Sequence, residues 1–233
     1  MRVDNTVNDP EEFCWRQSWI ANKVRLAEHL AEGCCGAGYP EAVIVLCGSL
    51  SALAAELWPG KMKDKNRFVE LLANYTSPEL SATTISIPLL ADYLREIGSQ
   101  DEEAAVRSRW LRADPSQVVY GPDVDATEKD VVLLCPRIQL PIIRKFSYAT
   151  LLYEEVRSGY AHEYANASRS DSFPMGRRPG AEVSYINRIN QDNSRVRLIY
   201  FSPHWMAKLA LSAELLSRGI AANENFSNWW LLR

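Results

Sequence analysis

The run Ala42-Val43-Ile44-Val45-Leu46-Cys47 contains no charged or amide side chain. It opens a segment from Glu41 to Trp58 that Pro59-Gly60 stops. Its length and composition predict a helix that is apolar around most of its circumference. Such a helix is stable only when other elements cover several of its sides. The segment therefore predicts the central helix of a bundle, and the rest of the chain must supply the cover. Asp9-Pro10-Glu11-Glu12 reads as a helix start, with a capping candidate, a proline at the first position and acids in the first turn. Phe13, Ile20, Val24, Ala27 and Leu30 follow at roughly helical spacing, and the glycines from Gly33 to Gly38 end that helix. After the basic loop Lys61-Met62-Lys63, Asp64 is expected to cap a third helix carrying Phe68, Leu71 and Leu72 on one face.

The later segments read as further helices and one β element. Pro78 and Pro88 flank a short β-branched stretch, Ser81 to Ile87. Leu89 to Ile97 predicts a helix stopped by Gly98, and Glu102 to Leu111 predicts another. Residues 113–142 hold Pro115, Pro122, Pro136 and Pro141 and read as an ordered connection with little helix. Ser147 to Asn166 reads as one helix, and residues 167–180, rich in Ser, Arg, Pro and Gly, as a loop. Glu182 to Ile186 and Arg195 to Tyr200 have β-type composition around an Asn/Asp-rich turn, which predicts a hairpin. Ser202-Pro203 opens a last helix that reaches about Arg218. The expectation is a mainly α chain forming a single domain over residues 1–233. Residues 10–166 make a helical bundle, and residues 167–233 add an Arg-rich loop, a small C-terminal β-hairpin and a helix.

Composition excludes several classes. With 233 residues, 47% hydrophobic and 24% charged, the chain is neither disordered nor collagen-like. No stretch approaches ~18 uninterrupted apolar residues, so no membrane association is expected. Met1-Arg2-Val3-Asp4-Asn5 lacks an apolar core, so no secretory signal is expected. Five cysteines without such a signal point to a reducing cytoplasm. The scattered His and Cys lack paired ligand spacing, so neither a metal nor another cofactor is expected. The net charge of −3 is unevenly distributed. Residues 1–130 carry 13 Lys/Arg against 21 Asp/Glu, whereas residues 131–208 carry 11 against 6. The basic second half is either a phosphate-facing surface or ordinary scatter of solvated charge.

The segment Tyr153-Glu154-Glu155-Val156-Arg157-Ser158-Gly159-Tyr160-Ala161-His162-Glu163-Tyr164 carries the chemistry. Arg157, polar Ser158 and His162, with four residues between Arg157 and His162, sit on a predicted late helix of a helical chain. This pattern resembles the signature of the HEPN superfamily. Asp64-Lys65-Asn66-Arg67-Phe68-Val69-Glu70 is similar to a turn and helix found in bacterial members, and the resemblance covers roughly residues 10–166. It implies a HEPN-like helical bundle acting as an endoribonuclease without metal. Such proteins serve as toxins or antiviral effectors and typically pair two copies so that both Arg/His pairs line one cleft. The RNA's own 2′-hydroxyl is then the nucleophile, leaving a 2′,3′-cyclic phosphate and a 5′-hydroxyl. The implied partners are RNA, a second copy of the chain, and an antitoxin or a sensor/activator protein. The resemblance also admits a non-catalytic module that binds RNA, nucleotide or a partner protein.

The residue types suit that reaction. Histidine is the side chain whose proton comes and goes near neutral pH, so His162 can serve as general acid or base. Arg157 offers a permanently charged fork of donors for the non-bridging phosphate oxygens. On an ideal helix the two lie about 140° apart, so they do not share a face and a composite site between two copies is expected. Ser158 lies closer to His162, about 40° away. Glu155 either orients the His162 imidazole or is a solvated charge. Tyr160 and Tyr164 either meet bases and phosphates or pack. Arg169, Arg177, Arg178, Arg195 and Arg197 either track an RNA backbone or solubilise the surface. The tail Phe226-Ser227-Asn228-Trp229-Trp230-Leu231-Leu232 is either an exposed apolar segment or one tucked into its own core.

Overall fold

The computed structural model describes residues 10–60, 63–111, 118–165, 167–172, 178, 181–189 and 195–230; the side chains of residues 10–14 and 195 lie outside that description. In chain order the elements begin with α1 (Pro10–Ala31), α2 (Tyr39–Leu57), α3 (Asp64–Asn74), α4 (Ile87–Glu96) and α5 (Gln100–Trp110). Next come β1 (Val119–Tyr120), α6 (Gly121–Val124), α7 (Glu128–Leu134) and α8 (Leu140–Arg144). A helical rod follows: α9 (Tyr148–Leu151), a π-helical turn (Leu152–Arg157) and α10 (Ser158–Glu163). The strands β2 (Val183–Ile189) and β3 (Arg195–Phe201) and the helix α11 (Pro203–Leu216) complete the chain. The fold is mainly helical with a small sheet, and the expected bundle is present.

The apolar helix α2 is central, as its composition requires. It packs against α1, α11, α3 and the rod. Ala42, Val43, Leu46, Cys47, Leu50, Leu53, Ala54 and Leu57 are buried. By length and composition Tyr39–Leu57 would also cross a membrane, but half of it is buried inside this fold. Arg16 on α1 is buried and reaches Glu56 of α2 at 3.2 Å and Glu214 of α11 at 3.7 Å. Three helices are thus pinned by one guanidinium, which tolerates burial because carboxylates face it. At α3 the structure differs from the sequence reading. Lys63 occupies the cap position and Asp64 is the first helical residue, its carboxylate turned to other partners.

The proline-rich connection contains more helix than expected. Pro122 and Pro141 stand in the first turns of α6 and α8, and Pro136 follows the end of α7. A first-turn proline has no helical hydrogen bond to lose, so these prolines start short helices rather than break long ones. The same residues pull in a third strand. β1 pairs antiparallel with β2 at Val119↔Tyr185, and β2 pairs with β3 from Val183↔Phe201 to Ile189↔Arg195. The hairpin is therefore the larger part of a three-stranded sheet in the order β1-β2-β3. The Asp9 cap, the Lys61-Met62 loop and the hairpin turn at 190–194 lie outside the described residues.

The aromatic tail is tucked in. Phe226 packs on Trp58 with ring centroids 5.3 Å apart. Trp229 lies under the Arg144 guanidinium at 4.5 Å, and Trp230 under the Lys65 ammonium at 3.8 Å. The fastening is Glu70 of α3, whose relative exposure is 1%. Its Oε1 accepts from the Ser227 backbone N–H and hydroxyl, each at 2.7 Å, and from Asn74 Nδ2 at 2.9 Å. Its Oε2 accepts from the Trp229 N–H at 2.7 Å. In Glu70→Gln an amide NH2 faces one of these donors, leaving a buried polar group unpaired at a cost of about 1–3 kcal/mol. The expected outcome is a melting midpoint lowered by several degrees with a red-shifted tryptophan emission. An unchanged midpoint and spectrum would show that the tail is held by its ring contacts alone.

Candidate functional site

Ser147 begins the rod, its hydroxyl accepting the Thr150 N–H at 3.3 Å. Ahead of it, Ile85 bridges to both Ser147 and Ala126, so the β-branched stretch ties down the start of the rod. The rod then leaves ideal geometry. Over Leu152–Arg157 it is π-helical, and the Ser158 N–H bonds to the Tyr153 carbonyl five residues back. One extra residue in the turn rotates the positions on either side of it relative to an unbroken α-helix. The rod ends at Tyr164, whose φ of 52° is left-handed, so it is shorter than the expected helix to Asn166, a residue outside the description.

Arg157 leaves the π turn toward α3 and α2. Its Nη2 lies 2.6 Å from Asp64 Oδ2 and its Nε donates to Ser51 Oγ at 3.3 Å. Its guanidinium lies 5.1 Å from the centre of the Tyr153 ring. The Tyr153 hydroxyl donates to the same Asp64 Oδ2 at 3.1 Å, and Arg67 takes Asp64 Oδ1 at 3.3 Å. Tyr153 in turn packs edge-on against Phe68 at 5.4 Å. The two patches that carry the family resemblance, 64–70 and 153–164, are therefore in contact through Asp64. The Arg157 side chain retains 19% exposure.

His162 lies one α-helical turn and a half farther on and is exposed. It makes no hydrogen bond or ion pair among the described residues, and no contact joins it to Arg157. Ser158 is half-buried. Glu155 does not approach the imidazole. Its carboxylate accepts the Arg169 N–H at 3.1 Å, and its backbone carbonyl accepts the Ser170 hydroxyl at 2.6 Å. Burial raises its pKa, opposed by the Arg169 N–H and charge. Glu155 thus anchors the loop behind the rod. Tyr160 is buried against Tyr39 at 6.1 Å, and burial pushes its hydroxyl up to about 12. Tyr164 is exposed and donates to Glu41, whose other oxygen accepts the Gly38 N–H at 2.7 Å. Tyr160 is thus a packing residue, whereas Tyr164 is engaged through its hydroxyl and keeps its ring exposed.

Two of the basic residues are paired with carboxylates. Arg169 pairs with Glu96 at 3.3 Å and Arg178 pairs with Asp123. Arg177 lies outside the described residues, as does the Arg195 side chain. Arg197 makes no ion pair among the described residues. The other histidines are on the surface side of α1 and α11. His204 is 3.9 Å from Glu28, and His29 Nδ1 lies 3.4 Å from Cys34 Sγ. Among the described residues no three His, Cys, Asp or Glu side chains are grouped to hold a metal ion.

The structure also assembles a cluster that the sequence reading missed. A cavity of about 430 Å3 has Gly121, Asp125, Tyr148, Val183, Trp205 and Lys208 in its lining. Asp125 accepts from the Tyr148 hydroxyl, from the Tyr185 hydroxyl at 2.6 Å and from the Ile87 N–H at 2.9 Å. Burial pushes its carboxyl up to about 7, against the lowering effect of these three donors. The three side chains are distant in sequence and sit in unremarkable local contexts, so no spacing announces them.

In comparisons with protein-family models, curated proteins and solved structures, none matches this chain.

The Asp125 cluster sets a pH dependence. Between the ordinary aspartate value of 3.8 and about 7, the folded state keeps the Asp125 proton and the unfolded state loses it. The unfolded state then binds fewer protons, so this group makes stability fall as pH rises through that window. The fall is on the order of 4 kcal/mol for about three units. In Asp125→Asn the contribution is absent. Denaturant titrations at pH 4.5, 5.5, 6.5 and 7.5 should show a flatter stability profile for the variant. Parallel profiles would remove Asp125 from this role.

Proposed function

We propose that the chain is a metal-independent endoribonuclease whose site combines Arg157 and His162 from two protomers. The observation that carries this reading is the division of labour along one rod. Arg157 is anchored by Asp64 at the π turn, while His162 stands open to solvent with both ring nitrogens available. The resemblance of the two patches to HEPN proteins supports it, as does the Asp64 contact between those patches. In the reaction the RNA 2′-oxygen bonds to the adjacent phosphorus and the bond from phosphorus to the 5′-oxygen breaks. His162 takes the 2′ proton or delivers one to the leaving oxygen. Arg157 stabilises the charge on the non-bridging oxygens. Because Arg157 and His162 diverge on their own rod, a two-fold contact between rods is the arrangement that sets a cation beside an imidazole. A toxin or antiviral-defence effector, held in check by an antitoxin or a sensor protein, is the setting that fits such an enzyme.

A second reading is favoured by one observation. Asp64 and Ser51 occupy the Arg157 guanidinium, so Arg157 also serves as a strut between the rod, α2 and α3. In a non-catalytic module binding RNA, nucleotide or a partner protein, that would be its whole role. The test is cleavage of RNA in EDTA by wild type, His162→Ala and Arg157→Lys. The endoribonuclease reading expects cyclic-phosphate ends and a loss of about 10²–10⁴-fold in His162→Ala. It also expects specific activity to fall on dilution below the dimer dissociation constant. Arg157→Lys keeps the charge near Asp64 but not the fork, and its expected loss is about 10²-fold. Equal rates in wild type and His162→Ala, or cleavage that needs a divalent ion, would favour the module.

A further inference from the structure

Arg197 is an anomaly among the arginines. It lies on β3 opposite Asn187 of β2, and it is mostly buried. Its Nη1 has no hydrogen-bond partner. Elsewhere the buried or half-buried guanidiniums are matched: Arg16 by Glu56 and Glu214, Arg144 by Glu128, Arg157 by Asp64. A partly buried cation that no carboxylate pairs with directly is costly and favours the approach of an anion.

The surroundings supply a place for one. Arg197 lines a hollow of about 270 Å3 together with Pro88, Asp92, Arg95, Arg107 and Asn187. Three guanidiniums and one carboxylate thus line the same hollow. Asp92 Oδ1 already receives Arg95 at 3.2 Å and Arg107 at 2.9 Å. Arg107 Nε is further held by Glu103 at 2.8 Å. These bonds hold Arg95 and Arg107 in place, and the three guanidiniums outnumber the two carboxylates, Asp92 and Glu103, that face them. Burial lowers the Arg197 pKa, and the nearby Arg107 charge adds to this, while Asp92 opposes it. The guanidinium nonetheless remains a cation at neutral pH.

We propose that this hollow is a phosphate-binding site in which Arg197 is the central ligand and Arg95 and Arg107 are preset flanking donors. Planar guanidinium forks match phosphate oxygens in pairs, and the Asn187 amide offers a further donor. The volume is near the lower end of small-molecule sites, suiting a phosphate group with a small attached body. The site is separate from Arg157 and His162, so its fate is independent of the endoribonuclease reading. Phosphate reaches it either on a free phosphomonoester or as a phosphodiester of RNA.

The experiment is thermal melting of the full chain in chloride buffer of constant ionic strength, with inorganic phosphate, a nucleoside 5′-monophosphate or a short single-stranded RNA. Phosphate at ten times its dissociation constant is expected to raise the wild-type midpoint by about 3–5 °C. Arg197→Met keeps the side-chain stem and removes the charge. It is expected to melt no lower than wild type without ligand and to lose the phosphate response. Arg95→Gln, changed at a side chain that is 56% exposed, keeps the fold and weakens phosphate about 3–10-fold. A response to the monophosphate alone assigns the site to a free phosphomonoester, and one to RNA alone assigns it to a backbone phosphodiester. A wild-type midpoint that phosphate and RNA move no more than chloride, or an undiminished response in both variants, overturns the proposal.

Discussion

The carboxylate of Asp125 joins the helical layer to the sheet. It receives the first N–H of α4, the hydroxyl of Tyr148 at the start of the rod, and the hydroxyl of Tyr185 in β2. Each donor belongs to a different element, so no element can shift without leaving a buried polar group unpaired. Gly121 completes the arrangement, because a Cβ there would overlap the Tyr148 hydroxyl and sit 2.9 Å from Asp125 Oδ2. The same closeness brings β1 and α6 against the hairpin and turns two strands into three.

A second constraint is the pairing of the acidic first half with the basic second half. Asp64 meets Arg157, Glu96 meets Arg169, Asp123 meets Arg178 and Glu128 meets Arg144. Charges that look segregated along the chain are interleaved once folded. The exposed pairs among these add little stability. Among the described residues His162 at one end of the rod and Arg197 beside α4 stand outside this pairing.

The rod holds its arginine and its histidine in different surroundings. At the π turn Arg157 faces inward and links three helices; at the C-terminal end His162 faces out. Neither role conflicts with the other because the residues diverge around the axis.

The helices announced themselves through local pattern. The apolar run in α2, the Phe68/Leu71/Leu72 face of α3, the glycine stop at Gly98 and the Ser202-Pro203 start were all legible, because periodicity and end signals act over a few residues. The Arg157 and His162 positions on one helix were legible for the same reason. The prolines of 113–142 were misread, since a proline starts or ends a helix according to its place in the first turn, and that place depends on neighbours the sequence does not rank. Partners across long separations were not legible at all. Asp64 with Arg157, Glu70 with the tail, Asp125 with two tyrosines and Arg197 with none are decided by three-dimensional approach. The sequence alone determined which segments are helical and which side must be buried; only the tertiary structure decided which charges are spent on the fold and which stay free, because burial and pairing exist only between elements.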